Sequence, residues 1–287
     1  MLECHNCVLP FRQGGADFTD GRVGRKDKRP SESCVLAAPK LHFQTASRLV
    51  PTPPRVYPAP RIQTSTTKGT TMTAVSLEGR PVRANNIFCI GRTYAAHAAE
   101  LGNAAPAAPL VFLKPNCALN TAPVVRLPPG ADNVHYETEL VLLIGRDTDA
   151  LTPENAPDAV AGYAVGLDLT ERSWQKQAQA AGLPWTKGKG FRQAACVSGF
   201  VGAHALDTIR THGFTLTLNG QTRQRGELRN MIFPIETLLC TLAADYGLQE
   251  GDLVFTGTPE GVGALSAGDV LELDLAGLVS ARFEIAR

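Results

Sequence analysis

Glu137 and Glu139 stand one residue apart in "HYETEL", which runs directly into the apolar "VLLIG". Side chains alternate faces along a strand, so these two carboxylates share a face beside apolar surface. Burying like charges without partners is costly, and each raises the other's pKa. A third carboxylate, Asp168, ends the apolar run "AGYAVGLDL". Three carboxylates at neighbouring strand ends make a concentrated oxygen site of the kind that hard divalent ions such as Mg²⁺ or Mn²⁺ require. The same pattern is satisfied by a salt bridge, with Arg146 or a lysine facing the glutamates, and spacing alone does not choose between them.

Other residues carry chemistry of their own. His97 and Glu100 lie three apart in "TYAAHAAEL"; on a helix they share a face. A carboxylate beside an imidazole orients it and stabilises its protonated form, the usual preparation of a general base, although a surface His–Glu pair looks the same in sequence. "WTKGKGF" sets Lys187 and Lys189 between glycines, where backbone can approach a ligand closely. "TGTPEGVG", Thr256 to Gly263, follows a strand and offers backbone N–H groups and the Thr258 hydroxyl to an anion, or simply makes a sharp turn. It lacks the Lys-Ser/Thr of a phosphate loop, which argues against nucleotide binding. Lys114 ends the strand in "VFLKP", where a solvated lysine is the default.

The elements that must position these groups are legible from about Met72 onward. "NIFCIG", "PLVFLKP", "ELVLLIG", "AGYAVGLDL", "GDLVFTGTP", "GDVLELDL" and "LVSARFEI" read as strands. "TYAAHAAEL", "ERSWQKQAQAAG" and "PIETLLCTLAADYG" read as helices, and Asn219-Gly220 between alternating runs predicts a hairpin. The fold class is therefore α+β and β-rich. Residues 1–71 differ: they hold eight of the twenty prolines and a net charge of +6, against −5 for 72–287. That composition predicts a disordered basic extension, with Met72 as an alternative start, and a catalytic domain over 72–287. "CHNC" (Cys4 to Cys7) has no second pair at zinc-ribbon spacing.

The overall net charge is +1, so nothing global points to nucleic acid or to a membrane, and no stretch approaches a spanning helix. Seven cysteines, an odd number scattered through apolar segments, predict reduced thiols in a cytoplasmic protein.

Taken in order, "CIGRTYAAHAAELG", "VFLKP", "HYETELVLLIG", "GYAVGLDLTERSWQ", "GLPWTKGKGF", "GELRNMIFPI" and "GDLVFTGTPEGVG" resemble the fumarylacetoacetate hydrolase superfamily, and within it the acylpyruvate hydrolase and oxaloacetate decarboxylase branch. The resemblance runs from about Asn86 to the C-terminus. It implies a mixed β-roll, a homodimer, a Mg²⁺ or Mn²⁺ cofactor and a small 2-oxo acid substrate. By position it implies Glu137, Glu139 and Asp168 as metal ligands and His97 with Glu100 as a water-activating pair on a lid. Lys189 and Gln175 fall at the substrate's reacting end, Thr258 at a substrate carboxylate, and Arg92 and Lys114 in substrate-binding motifs. Relatives usually read His-His-Glu where His135-Tyr136-Glu137 stands, and Asn-Tyr where Thr93-Tyr94 stands, departures that bear on substrate choice. The implied reaction is hydrolytic C–C cleavage of a 2,4-dioxo acid such as fumarylpyruvate or acetylpyruvate. Oxaloacetate decarboxylation and isomerisation of 2-hydroxyhepta-2,4-diene-1,7-dioate are alternatives on the same site. A non-catalytic dimeric binding protein is the alternative of another class; loss of any of Glu137, Glu139, Asp168 or His97 would favour it, and all are present.

Overall fold

The computed structural model describes residues 73–286, apart from residues 101 and 103; the expectations for residues 1–71 lie outside the described residues. Strand sequences dominate and assemble mainly into two sheets. The larger has eight strands and runs Leu110–Lys114, Ile87–Gly91, Leu253–Phe255, Thr138–Ile144, Val160–Asp168, Ala195–Val197 and Leu119–Asn120, with Val201–Gly202 also paired to Val160–Asp168. Pairing is mixed. The Leu253 and Ile87 strands run parallel, whereas the Thr138 strand is antiparallel to both of its neighbours, the Leu253 and Val160 strands. The Thr138 and Val160 strands are buried almost throughout, which explains why they read as continuous apolar runs rather than alternating ones.

A second sheet of five strands runs Gln221–Gly226, Phe214–Leu218, Val270–Leu275, Val279–Ala286 and Val124–Arg126. Here one face is more open, and Val270–Leu275 alternates buried residues with half-buried or exposed ones. The expected Asn219-Gly220 turn joins its first hairpin. Its buried residues Leu216, Leu271, Leu273 and Phe283 join those of the larger sheet in one core. A three-stranded sheet, Thr170–Glu171, Val134–Tyr136 and Gly263–Ala264, lies in the chain on either side of the carboxylate residues.

Five α-helices complete the described residues: α1 (Ala95–Glu100), α2 (Arg172–Ala180), α3 (Thr186–Lys189), α4 (Leu206–His212) and α5 (Ile235–Tyr246). In α5, Ile235, Leu238, Leu239, Leu242 and Ala243 are buried, a single apolar face at helical spacing. The architecture is α+β, with mixed, curled sheets and few helices. None of the described helices is long and apolar enough to cross a membrane.

Candidate functional site

The chain crosses from the three-stranded sheet into the large one at Glu137, which lies between the Val134–Tyr136 and Thr138–Ile144 strands. Glu139 follows on the Thr138 strand, and Asp168 ends the neighbouring Val160 strand. The Asp168 N–H donates to Glu137 O at 2.9 Å, which fixes one residue against the other. The three carboxylates come together: one oxygen from each lies within 4.8 Å of the others, and all three residues are buried.

The sequence alternatives of metal ion and salt bridge are not exclusive in this geometry. Cations do face the carboxylates, though Arg146 is not among them. Lys189 Nζ bridges Glu137 Oε2 at 2.7 Å and Asp168 Oδ2 at 2.6 Å. Arg172 pairs with Glu137 Oε1, and Lys114 Nζ lies 2.7 Å from Asp168 Oδ1. Asp168 Oδ1 accepts no hydrogen bond among the described residues, so that last contact is an ion pair only. Glu139 makes no ion pair among the described residues; its Oε2 accepts the Gly257 N–H at 2.8 Å.

The electrostatics divide accordingly. Burial favours the neutral form of Glu137, but Lys189 and Arg172 outweigh it and hold this carboxyl well below its usual range. Burial, then Asp168 and Glu137, push Glu139 well above its usual range, because no cation touches it. Burial opposes the charge on Lys189, yet Asp168 and Glu137 hold its ammonium protonated more firmly than usual. A divalent ion fits this donor set. It would be coordinated by oxygen alone, and it would supply the positive charge that Glu139 lacks.

Local sequence explains each placement. Glu171 caps α2, its Oε2 accepting the Trp174 N–H at 2.6 Å and its Oε1 the Asn133 N–H at 3.1 Å. This holds Arg172, in the first turn, toward Glu137, and Arg172 Nη1 donates to Gln175 Oε1 at 3.0 Å. "TKGK" forms the one-turn α3 rather than the expected glycine loop. A Cβ on Gly188 would lie 2.8 Å from Gln175 N, so glycine permits α3 to sit directly on the backbone of α2. That contact turns Lys189 inward, while Lys187 lies over the Trp174 ring at 4.8 Å. Lys114 is not the solvated lysine that its strand-end position suggests. It is 2% exposed, and its ammonium donates to Leu169 O at 3.2 Å and to Lys189 O.

The "TGTPEGVG" turn serves as scaffold. Thr258 Oγ1 donates its single hydrogen to Thr138 O at 2.8 Å and accepts from Gln224 Nε2 at 2.9 Å. The hydroxyl thus ties the turn to the Thr138 strand, and Thr258 also lines the cavity at the carboxylates. Gln224 Oε1 in turn accepts the Thr138 N–H at 2.9 Å, locking the strand that carries Glu139. Gly257 has φ +100°, and a Cβ there would collide with Thr93 Oγ1. Only glycine can aim this N–H at Glu139 while Thr93 donates to Thr256 O at 2.7 Å.

His97 and Glu100 share a face of α1 as expected, with Nδ1 and Oε2 3.3 Å apart. Both Glu100 oxygens also accept the Gly261 N–H, at 3.2 and 3.3 Å. Nδ1–H donation to Glu100 leaves His97 Nε2 as the basic nitrogen. A cavity of about 170 Å³ joins His97 to the carboxylates and is lined further by Arg92, Arg172, Gln175, Lys176, Lys189 and Thr258. Glu100 and Lys114 do not line it and reach it only through His97, Lys189 and Asp168. Sequence reasoning missed Arg172 and Gln224. The one available signal for Arg172 was its place directly after Glu171, three residues before Gln175 on the same helix face.

Comparison with known proteins agrees with this geometry. The family model for the fumarylacetoacetate (FAA) hydrolase C-terminal domain matches residues 86–286. Mitochondrial oxaloacetate tautomerase FAHD1 of Rattus norvegicus is 40% identical over 204 residues, covering 70% of this chain and 92% of the relative. Oxaloacetate tautomerase YcgM of Escherichia coli (strain K12) is 38% identical over 195 residues, covering 67% and 89%. The crystal structure of fumarylpyruvate hydrolase from Pseudomonas aeruginosa, in complex with Mn²⁺ and pyruvate, superposes with a TM-score of 0.71 at 31% identity, covering 77% of this chain and 99% of that one. The chain belongs to the fumarylacetoacetate hydrolase family of enzymes.

Proposed function

We propose that this chain is a divalent-metal-dependent enzyme that interconverts the keto and enol forms of a small 2-oxo acid of the oxaloacetate class. The observation that carries this reading is one small cavity holding both a three-carboxylate cluster and a histidine base. Its volume, about 170 Å³, is below the ~300–1,000 Å³ of pockets that take drug-sized ligands, and favours a short diacid over longer acyl chains. The relatives named as oxaloacetate tautomerases point the same way.

Glu137, Glu139 and Asp168 would hold Mg²⁺ or Mn²⁺, which when bound supplies a Lewis acid for a 2-oxo carbonyl. His97 Nε2 would take a proton from C3, the carbon between the two carbonyl groups. As that C–H bond breaks, its electron pair forms the C2–C3 double bond and the carbonyl pair moves onto oxygen; a proton from solvent completes the enol there, and His97 releases the proton it took to solvent. Glu100 orients the imidazole and stabilises its protonated form. Lys189 has three N–H groups; two are spent on Glu137 and Asp168, and the third is available to the developing oxyanion. Arg172 and Gln175 both line the cavity and would offer N–H donors to the C1 carboxylate. Lys114 acts at one remove, fixing Asp168 and the backbone of Lys189.

Hydrolytic cleavage of acylpyruvates is the second reading, favoured by the His97–Glu100 pair. That pair can deprotonate a water for attack on the distal carbonyl, leaving a pyruvate enolate. The experiment is to measure oxaloacetate enol–keto conversion and acetylpyruvate hydrolysis with purified protein and Mg²⁺ or Mn²⁺. His97→Ala is expected to lower the dominant activity about 10²–10⁴-fold, the usual contribution of a general base. Full activity after exhaustive chelation, or in His97→Ala, would overturn the assignment.

A further inference from the structure

The cavity sorts its charges by depth. All its acidic residues, Glu137, Glu139 and Asp168, lie at the buried end, while the exposed rim carries Lys176. Half-buried Arg92 also lines the wall. Neither Lys176 nor Arg92 makes an ion pair among the described residues, in contrast to Lys114, Arg172 and Lys189 at the floor. Two cations therefore face the entrance uncompensated.

Their placement is specific. Arg172 and Lys176 are four residues apart on α2, so they project from one face about 6 Å apart along the axis. A carboxylate at the floor and a second one farther out on the same ligand would therefore each meet a cation of this helix face. The helix presents one cation at the buried floor and the next at the rim. Arg92 adds an independent observation. Its φ is +59°, a left-handed conformation that glycine takes freely and arginine rarely does. The backbone is pinned on both sides: Gly91 pairs with Leu110, and Thr93 O accepts the Ile232 N–H at 2.7 Å. A long cationic side chain in so unfavourable a backbone position, lining a cavity and without an internal partner, points to a ligand.

We propose that Lys176 and Arg92 form a distal anion subsite, so that the site selects 2-oxo acids carrying a second carboxylate over monoanionic ones. This rests on the 2-oxo acid reading above and adds the choice among such acids. Leu110, Phe112 and Trp185 also line the cavity and are the groups that a neutral acyl chain would contact instead.

The test is calorimetric binding of oxaloacetate and 2-oxobutanoate, a dianion and a monoanion of equal chain length, to the Mn²⁺-loaded protein. Wild type is expected to bind the dianion about tenfold tighter, the yield of two partly exposed ion pairs. In the double variant Lys176→Met, Arg92→Gly the preference should fall to about parity, while Lys176→Arg should retain it. Arg92→Gly relieves the backbone conformation, so a loss of preference there cannot be ascribed to damage of the fold. No preference in wild type, or an unchanged preference in the double variant, overturns the subsite. Binding of neither acid overturns the 2-oxo acid reading itself, and the subsite with it.

Discussion

Glu137, Glu139 and Asp168 are 4%, 2% and 1% exposed and sit on or beside strands paired to neighbours, whereas α1 stands over them with few ties. The floor is fixed by backbone ladders, by the Gln224 network and by three cations. The polar ties of α1 and its N-terminal entry are the Thr93 bonds, an isolated bridge from Tyr94 to Met231, and the Glu100 carboxylate on the Gly261 N–H. The Tyr94 hydroxyl is buried there without a partner. The floor is thus over-determined, as a site that must hold several like charges requires. The helix carrying the base has fewer polar ties among the described residues. Glu100 belongs to both regions, since one carboxylate orients His97 and latches α1 to the turn whose Gly257 holds Glu139.

The floor itself is not uniform, and two substitutions sharpen this. Asp168→Ala leaves Lys114 and Lys189 without their shared carboxylate in a buried site. Breaking such a pair costs about 3–5 kcal/mol, and activity should be lost with it. Glu139→Gln should also abolish activity, yet in chelated protein it should leave stability unchanged or slightly raised. Glu139 touches no cation, and its charge opposes those of Glu137 and Asp168. The lysine contacts of Asp168 separate the two variants. Urea unfolding of both variants in chelator checks this, and equal destabilisation would mean that the cations do not stabilise the floor as described.

The carboxylate cluster was legible because acids inside apolar strands are conspicuous, and the strand and helix patterns from Ile87 onward fell where expected. Less was legible where a side chain's direction depends on a distant segment. Lys114 ends its strand as a surface lysine would, and only the packing of α3 behind it turns it inward. Arg172 reads as an ordinary first-turn residue until Glu171 caps the helix against Asn133. Gln224 is one polar residue in a hairpin strand, and its partners Thr138 and Thr258 are 86 and 34 residues away. The hairpin Ala74–Leu77 with Arg80–Arg83 and helix α4 carry too short a pattern to be read from periodicity.

A smaller effect tests the link between floor and helix. Glu100→Gln keeps an acceptor for the Gly261 N–H but gives His97 a neutral partner, so turnover should fall about tenfold with little change in Tm. Glu100→Ala, which also removes the latch, should raise KM in addition. A KM effect of equal size in both variants would place the whole contribution of Glu100 in its charge.

The central claim is that Glu137, Glu139 and Asp168 hold one divalent ion, and calorimetric titration of chelator-stripped protein with Mn²⁺ tests it most directly. The account predicts a single site that is lost in Glu139→Gln. Because burial and its neighbours raise the Glu139 carboxyl, a proton competes with the metal for it. Affinity should therefore strengthen as pH rises through the titration of Glu139, with protons released on binding. Absence of binding in wild type, or binding of equal affinity in Glu139→Gln, would contradict it and leave the carboxylates as a salt-bridge network with Lys114, Arg172 and Lys189.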